Sequence, residues 1–197
     1  CVDNNTKQGF YGGAIGAKGG RVKIYDCVFI GNSIHGGAGN VKPFGGAVCA
    51  TEATVLVDGC RFDRNYIQLT HADSGGGGAL GFVNCPSVVV ENTMFTTNYA
   101  RRSSGANNYF NDVVTSEDLY GGTIYASGGS IAIRNVLVQG GWNNSADQDD
   151  LDYCYGGVMH FVNSAASLTR SVINEAGYSG YSSGETYNRS TGSISIR

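Results

Sequence analysis

Two half-motifs, repeated in step, constrain this chain more than any other feature. The first is a glycine pair followed by a small and then a larger apolar residue, GGA[ILV]. The second, starting 17 or 18 residues after that first glycine, is an aromatic three places before an asparagine, FxxN. Three copies are clean: Gly12-Gly13-Ala14-Ile15 with Phe29 and Asn32, Gly45-Gly46-Ala47-Val48 with Phe62 and Asn65, and Gly77-Gly78-Ala79-Leu80 with Phe95 and Asn98. Two are degenerate, Gly121-Gly122-Thr123-Ile124 leading to Val138, and Gly156-Gly157-Val158-Met159 leading to Ile173. A period of 32 to 44 residues marks a repeat architecture, in which one unit cannot bury its apolar face and stacked units can.

The pattern inside each unit names the unit. Ile15 and Ala17, Val48 and Ala50, Leu80 and Phe82, Ile124 and Ala126, and Met159 and Phe161 lie two apart, the period of a strand with one face buried. A second alternating stretch follows at Val22 and Ile24, Val55 and Val57, Val88 and Val90, and Ile131 and Ile133, with Leu168 in the fifth copy. The FxxN aromatic supplies a third inward position. No 3.6-residue apolar stripe runs for three turns with caps, so no helix is expected. Three short strands per unit, stacked in register at ~4.8 Å, make a parallel β-helix of about five circuits and roughly 24 Å. Repeats near 12–44, 45–76, 77–120, 121–155 and 156–191 then form one domain spanning 1–197. Ile15, Val48, Leu80, Ile124 and Met159 should form one buried column, and Asn32, Asn65 and Asn98 an internal amide ladder. A sandwich or barrel also uses short strands, but these columns keep register and lack two-residue Asn-Gly or Asp-Gly hairpin loops.

Composition narrows the partners. Thirty-one glycines at fixed columns serve turns and close backbone approach. Charged residues are 15% and the net charge is −3, which leaves no basic stripe for nucleic acid. No apolar run reaches the ~18 residues of a membrane span. Six cysteines and the sequons at Asn4, Asn143 and Asn188 point to an oxidising, extracellular or cell-surface setting. Asn143 and Asn188 are the candidate glycosylation sites, Asn4 being a ladder residue. Cys27 and Cys60 share a column and should remain reduced, whereas Cys49 and Cys85 fall at outward or corner positions and are the expected disulfide. Cys1 to Asn4 aligns with an FxxN half-motif lacking its start, and Gly192 to Ile196 with the opening strand of a further circuit. The chain therefore reads as a piece of a longer array, or as a unit packed end to end.

Length varies in one place, between FxxN and the next glycine pair: Ser33 to Phe44, Tyr66 to Gly76, Tyr99 to Tyr120, Trp142 to Tyr155, and Gly177 to Thr191. Insertions of this kind collect on one edge of a solenoid, often the binding edge. Tyr109, Phe110, Trp142, Tyr178, Tyr181 and Tyr187 are the candidate contact residues there, because Tyr-rich loops with Ser, Gly and Asn give recognition area at little entropic cost. Tyr11, Phe44, Tyr120 and Tyr155, each just before a glycine pair, are expected to stack as a column at the loop base. Arg101-Arg102 reads as a solvated basic pair. Asp147, Asp149, Asp150 and Asp152 offer hard oxygen ligands at a density that can hold Ca²⁺. No other cofactor is implied. His35, His71 and His160 are scattered, and the carboxylates Asp58, Asp63 and Glu91 do not recur at matching strand positions, as a paired-carboxylate glycosidase site would need.

The paired GGA[ILV] and FxxN motifs resemble the polymorphic outer-membrane protein repeat of chlamydial autotransporter-type surface adhesins. The match runs from Gly12 to Ile173, with Val138 and Gly141, then Ile173 and Ala176, in place of Phe and Asn in the last two copies. The resemblance implies a surface-exposed, right-handed parallel β-helix that works in adhesion, and it carries over no catalytic residue. Residues and resemblance together give the expectation of a non-enzymatic surface protein, adhesive or structural, whose loop face meets a protein or glycan or a neighbouring subunit. A polysaccharide lyase or hydrolase on the same scaffold is the alternative.

Overall fold

The computed structural model describes residues 2–3, 12–36, 43–69, 74–102, 118–144, 154–174, 177–178 and 194–196. Among these every regular element is a strand, every strand pairing is parallel, and no helix is long and apolar enough to cross a membrane. The chain is a parallel β-helix. Its first sheet holds Ile15–Lys18 and Arg21–Tyr25, Val48–Thr51 and Thr54–Asp58, then the long strands Leu80–Glu91, Ile124–Arg134 and Met159–Thr169, and finally Ile194–Ile196. The second stacks Val28–Ile30, Arg61–Asp63, Met94–Thr96, Leu137–Gln139 and Val172–Asn174, about four full turns from first rung to last.

The expected columns form. Ile15, Val48, Leu80, Ile124 and Met159 are register partners in succession, and all but the half-buried Ile15 are fully buried. The next rung continues with Ile194 opposite Met159. In the second sheet Phe29 lies on Phe62 with ring centroids 4.7 Å apart, and Phe62 on Phe95 at 5.1 Å. Each such pair contributes about 0.5–1.5 kcal/mol beyond area burial. Beside them the Nδ2 of Asn32 donates to Asn65 Oδ1 and that of Asn65 to Asn98 Oδ1, both at 2.9 Å. At the corner Gly45 takes φ +73°, and a Cβ on Gly46 would run into the carbonyl oxygens of Gly78 and Tyr66. Only glycine lets successive circuits close to strand spacing there.

Several expectations need correction. Each circuit carries a third sheet that the motif did not announce: Val2–Asp3, Ser33–Gly36, Tyr66–Leu69, Tyr99–Arg102, Trp142–Asn144 and Gly177–Tyr178. Segments read as loop therefore begin as strand, because one inward residue per rung (Ile34, Ile67, Ala100) suffices to anchor it. Val2 pairs with Ile34, not Ile30, so the first residues belong to this sheet and not to an FxxN strand. A short fourth sheet of Ser74–Gly76, Asp118–Tyr120 and Cys154–Tyr155 leads back to the glycine corner. Leu168 keeps its column opposite Ile133 but is 40% exposed, since the described strand of the next rung, Ile194–Ile196, pairs only with Met159 to Phe161.

The Cys49–Cys85 disulfide is also corrected. Cys27, Cys49, Cys60 and Cys85 are all free thiols. Cys49 pairs in register with Gly81 and packs outside the first sheet with Phe44 and Tyr125, whereas Cys85 belongs to the interior cluster. The two thus sit on opposite faces of the sheet, where the Cβ vectors cannot meet. Cys27 and Cys60 are reduced as expected, although Cys27 is exposed.

Candidate functional site

The third sheet presents the most distinctive surface among the described residues. Strand alternation sends Ile67 and Ala100 inward, fully buried, and turns their neighbours to the outside. In register the flanking positions read Ser33, Tyr66, Tyr99, Trp142 and Gly177 in one column, and His35, Gln68, Arg101 and Asn144 in the next but one. The aromatics stack as a ladder. Tyr66 and Tyr99 lie 5.0 Å apart with planes 4° from parallel, and Tyr99 and Trp142 lie 4.4 Å apart at 1°. The ladder stops at the indole, because the paired residue of the next rung is Gly177.

Polar groups border it. Arg101 donates from Nε at 3.1 Å and Nη2 at 2.6 Å to Gln68 Oε1, and its Cζ stands 5.6 Å and 5.7 Å from the Tyr66 and Tyr99 ring centroids. Such cation–π contacts contribute about 0.5–1 kcal/mol at exposed sites. His35 Nε2 is 3.3 Å from the Tyr66 hydroxyl, its ring tilted 51° to the tyrosine. Burial pushes the Tyr99 phenol above its ordinary pKa, against the opposing pull of the Arg101 charge, with Tyr66 adding to the rise. Arg101 is thus not the solvated residue the sequence suggested but a fixed one.

Of the sequence-named contact residues, Trp142 stands at the end of this ladder, and Tyr178 lies in the next strand, opposite Asn143. Tyr109, Phe110, Tyr181 and Tyr187 lie outside the described residues, as do the calcium candidates Asp147, Asp149, Asp150 and Asp152, the sequon at Asn188, and His71. Asn143 shares the register column of Ile34, Ile67 and Ala100. Among the described residues no three His, Cys, Asp or Glu side chains come together as a metal site. The sequence reading missed Tyr66, Tyr99, Gln68 and Arg101. Their signal was present, for Tyr66, Tyr99 and Trp142 each follow directly on the fourth position of FxxN.

The remaining candidates are engaged elsewhere. Asp63 is held by Arg61 at 3.2 Å and Arg64 at 3.4 Å. The expectation that these carboxylates share no strand position is corrected, for Asp58 and Glu91 are register partners; Asp58 accepts from Asn92 at 2.7 Å, and Glu91 faces Arg134 at 4.0 Å. His160 is fully buried against Tyr120 and Tyr125, a structural place. The expected column of pre-glycine aromatics is interrupted between Phe44 and Tyr120, where Gly76 occupies the rung, so that Phe44 stacks on Tyr125 at 4.3 Å and Tyr120 on His160 at 5.0 Å; Tyr120 and Tyr155 are register partners, and Tyr11 lies outside the described residues. Comparison of the chain with protein-family models, with curated proteins and with solved structures found no match.

Proposed function

We propose that the chain is a non-enzymatic β-helix of the cell surface or extracellular space, working in adhesion or assembly through the outward face of its third sheet. The observation that carries this reading is the ladder of Tyr66, Tyr99 and Trp142. Rings held on strands at both ends of a stack lose little further freedom when a partner docks, so contact area converts to affinity with a small ordering cost. The three longest variable segments follow in sequence on the strands that bear Tyr99, Trp142 and Gly177, and so begin at this sheet. The resemblance of the repeat to those of surface adhesins supports the same reading.

A second reading, a polysaccharide-active enzyme, has one observation in its favour: Asp58 and Glu91 stand opposite each other in adjacent rungs. One experiment separates the two. The intact chain is passed over arrayed glycans, extracellular proteins and whole cells, and in parallel incubated with polysaccharides while released sugar ends are counted. Adhesion that falls at least tenfold in a Tyr99→Ala/Trp142→Ala variant of unchanged circular dichroism, with no sugar released, is the expected result. Sugar release abolished by Asp58→Asn or Glu91→Gln, with adhesion indifferent to the ladder, would establish the enzyme instead.

A further inference from the structure

Resting on the adhesive reading, we infer that the third-sheet face takes an acidic polysaccharide that contains uronic acid. Arg101 holds a uronate carboxylate, and a pyranose ring lies on the face of Trp142 turned away from Tyr99. The stack uses both faces of Tyr99 but one face of the indole, and Gly177 adds no side chain to the rung beyond. A half-buried indole presents a rigid apolar plane at the end of a rigid column. A pyranose ring offers the matching surface in the flat array of C–H groups on one side, as aromatic linings of ligand sites exploit.

Arg101 supplies the second contact. Its Nε and one Nη2 hydrogen are spent on a neutral acceptor, Gln68 Oε1, which leaves the fork between Nη1 and Nη2. That fork matches the two oxygens of a carboxylate, and the positive charge meets none among the described contacts of this side chain. The amide and two tyrosine rings have already fixed the guanidinium, so little rotamer freedom remains to be lost. It lies level with the Tyr66–Tyr99 pair, so a ring on the far side of the indole is about two and a half rungs of ~4.8 Å further along the stack. That is about the span of two sugar units, so the two contacts take up different sugars of one chain. A single fixed cation on a chain of net charge −3 suits spaced carboxylates and not the dense phosphates of nucleic acid.

Trp142 is the chain's one tryptophan, so intrinsic emission reports this site alone. The intact chain is titrated with a hyaluronan octasaccharide, its carboxyl-reduced counterpart, and a sulfated oligosaccharide lacking uronate, by fluorescence and calorimetry. Expected is a saturable emission change with the first. Arg101→Gln should lower its affinity roughly ten- to a hundredfold, the range of lost charge-assisted bonds, and Arg101→Lys should fail to restore it. Carboxyl reduction should cost the wild-type chain as much as Arg101→Gln costs the unreduced ligand. Trp142→Ala should weaken both uronate-derived ligands alike by calorimetry. The inference is overturned if the reduced or the sulfated ligand binds as tightly, if Arg101→Gln has no effect, or if no acidic glycan binds while the chain still adheres through its ladder. Adhesion untouched by Tyr99→Ala/Trp142→Ala would overturn the broader reading as well.

Discussion

Replacing Asn65 by alanine should cost far more stability than the same change at Asn32, although both are the asparagine of a clean FxxN motif. Asn65 Oδ1 accepts from Asn32 N at 3.0 Å and Asn32 Nδ2 at 2.9 Å, while its Nδ2 donates to Phe29 O at 3.0 Å and Asn98 Oδ1 at 2.9 Å. Asn98 Oδ1 would keep its bond from Asn65 N, but Asn32 N and Phe29 O would lose these partners. A buried polar group left without a partner costs about 1–3 kcal/mol, and the vacated amide adds a small cavity. The sum is about 3–5 kcal/mol, against a total of about 5–15 for an ordinary domain. The half-buried Asn32 gives up one side-chain bond, for about 1 kcal/mol. Asn65→Asp is a sharper probe. It keeps the acceptor, loses both donors, and sets a carboxylate beside two carbonyl-type oxygens. It should be worse than alanine at pH 7 and recover as pH falls into the carboxylate range, where the protonated acid can donate again. Guanidinium titrations followed by circular dichroism measure this, with slopes compared because stacked repeats need not unfold all at once. Asn65→Ala falling within 1 kcal/mol of Asn32→Ala, or a well-tolerated Asn65→Asp, would refute the argument.

Two further outcomes are expected. Burial, with the neighbouring Cys85 adding and a hydrogen bond involving Thr51 partly opposing, pushes the Cys49 thiol up to about 12. The folded chain then keeps a proton that the unfolded chain releases above about pH 9, so stability falls as pH rises beyond that point, by up to about 1.4 kcal/mol per unit from this group. Alkaline melting curves should be flatter in Cys49→Ala; an unchanged slope, or a Cys49–Cys85 linked peptide in an unreduced digest, would count against a buried free thiol. At the corner, Gly46→Ala drives a Cβ into backbone carbonyls and should cost over about 4 kcal/mol, whereas Gly16→Ala, whose Cβ meets nothing nearer than Gly12 N at 3.6 Å, should shift the melting point by a degree or two. Equal melting temperatures for the two variants would show that the corner yields more than its geometry allows.

What the sequence disclosed and what it hid follow from how many positions each element needs. The first sheet was legible because each strand commits two or more inward residues at period two, as Val55 and Val57 do, and the second, with one inward residue at the centre of each strand, because Phe62 and Asn65 each have a like residue above and below. The third sheet commits one or two, Ile67 and Leu69 in one rung and Ala100 in the next, beside outward residues of any polarity. A single inward residue leaves no period to detect, so Tyr66, Tyr99 and Trp142 were read as loop aromatics or passed over. Register alone brings them together, and register belongs to the stack of circuits, not to any one of them. The disulfide reading failed for the related reason that Cys85 follows a backbone corner at Asn84, φ +52°, which moves it to the inner face and out of step with the alternation counted from Leu80.

The fourth and fifth copies look eroded in sequence, yet the packing shows a substitution of one solution for another. Successive hydrogen bonds align Ala14, Ala47, Ala79, Thr123 and Val158 in one column, and the FxxN column runs Asn32, Asn65, Asn98 and Gly141. These columns face each other across the corner. A Cβ on Gly141 would come within 2.5 Å of Thr123 Oγ1 and 3.2 Å of a Val158 methyl. Where the first column is alanine, the second has an amide; at Gly141, which meets both Thr123 and Val158, it shrinks to glycine. Both half-motifs therefore lapse together because the volume they share is conserved, which is the kind of core exchange a fold tolerates best. The amide ladder, with its demand for one shape repeated, ends at Asn98 in consequence. The two rungs freed from it are those that carry Trp142 and Gly177, the step at which the outer ladder stops and leaves an indole face uncovered by its paired strand. The inner amide ladder and the outer aromatic ladder thus end at neighbouring rungs.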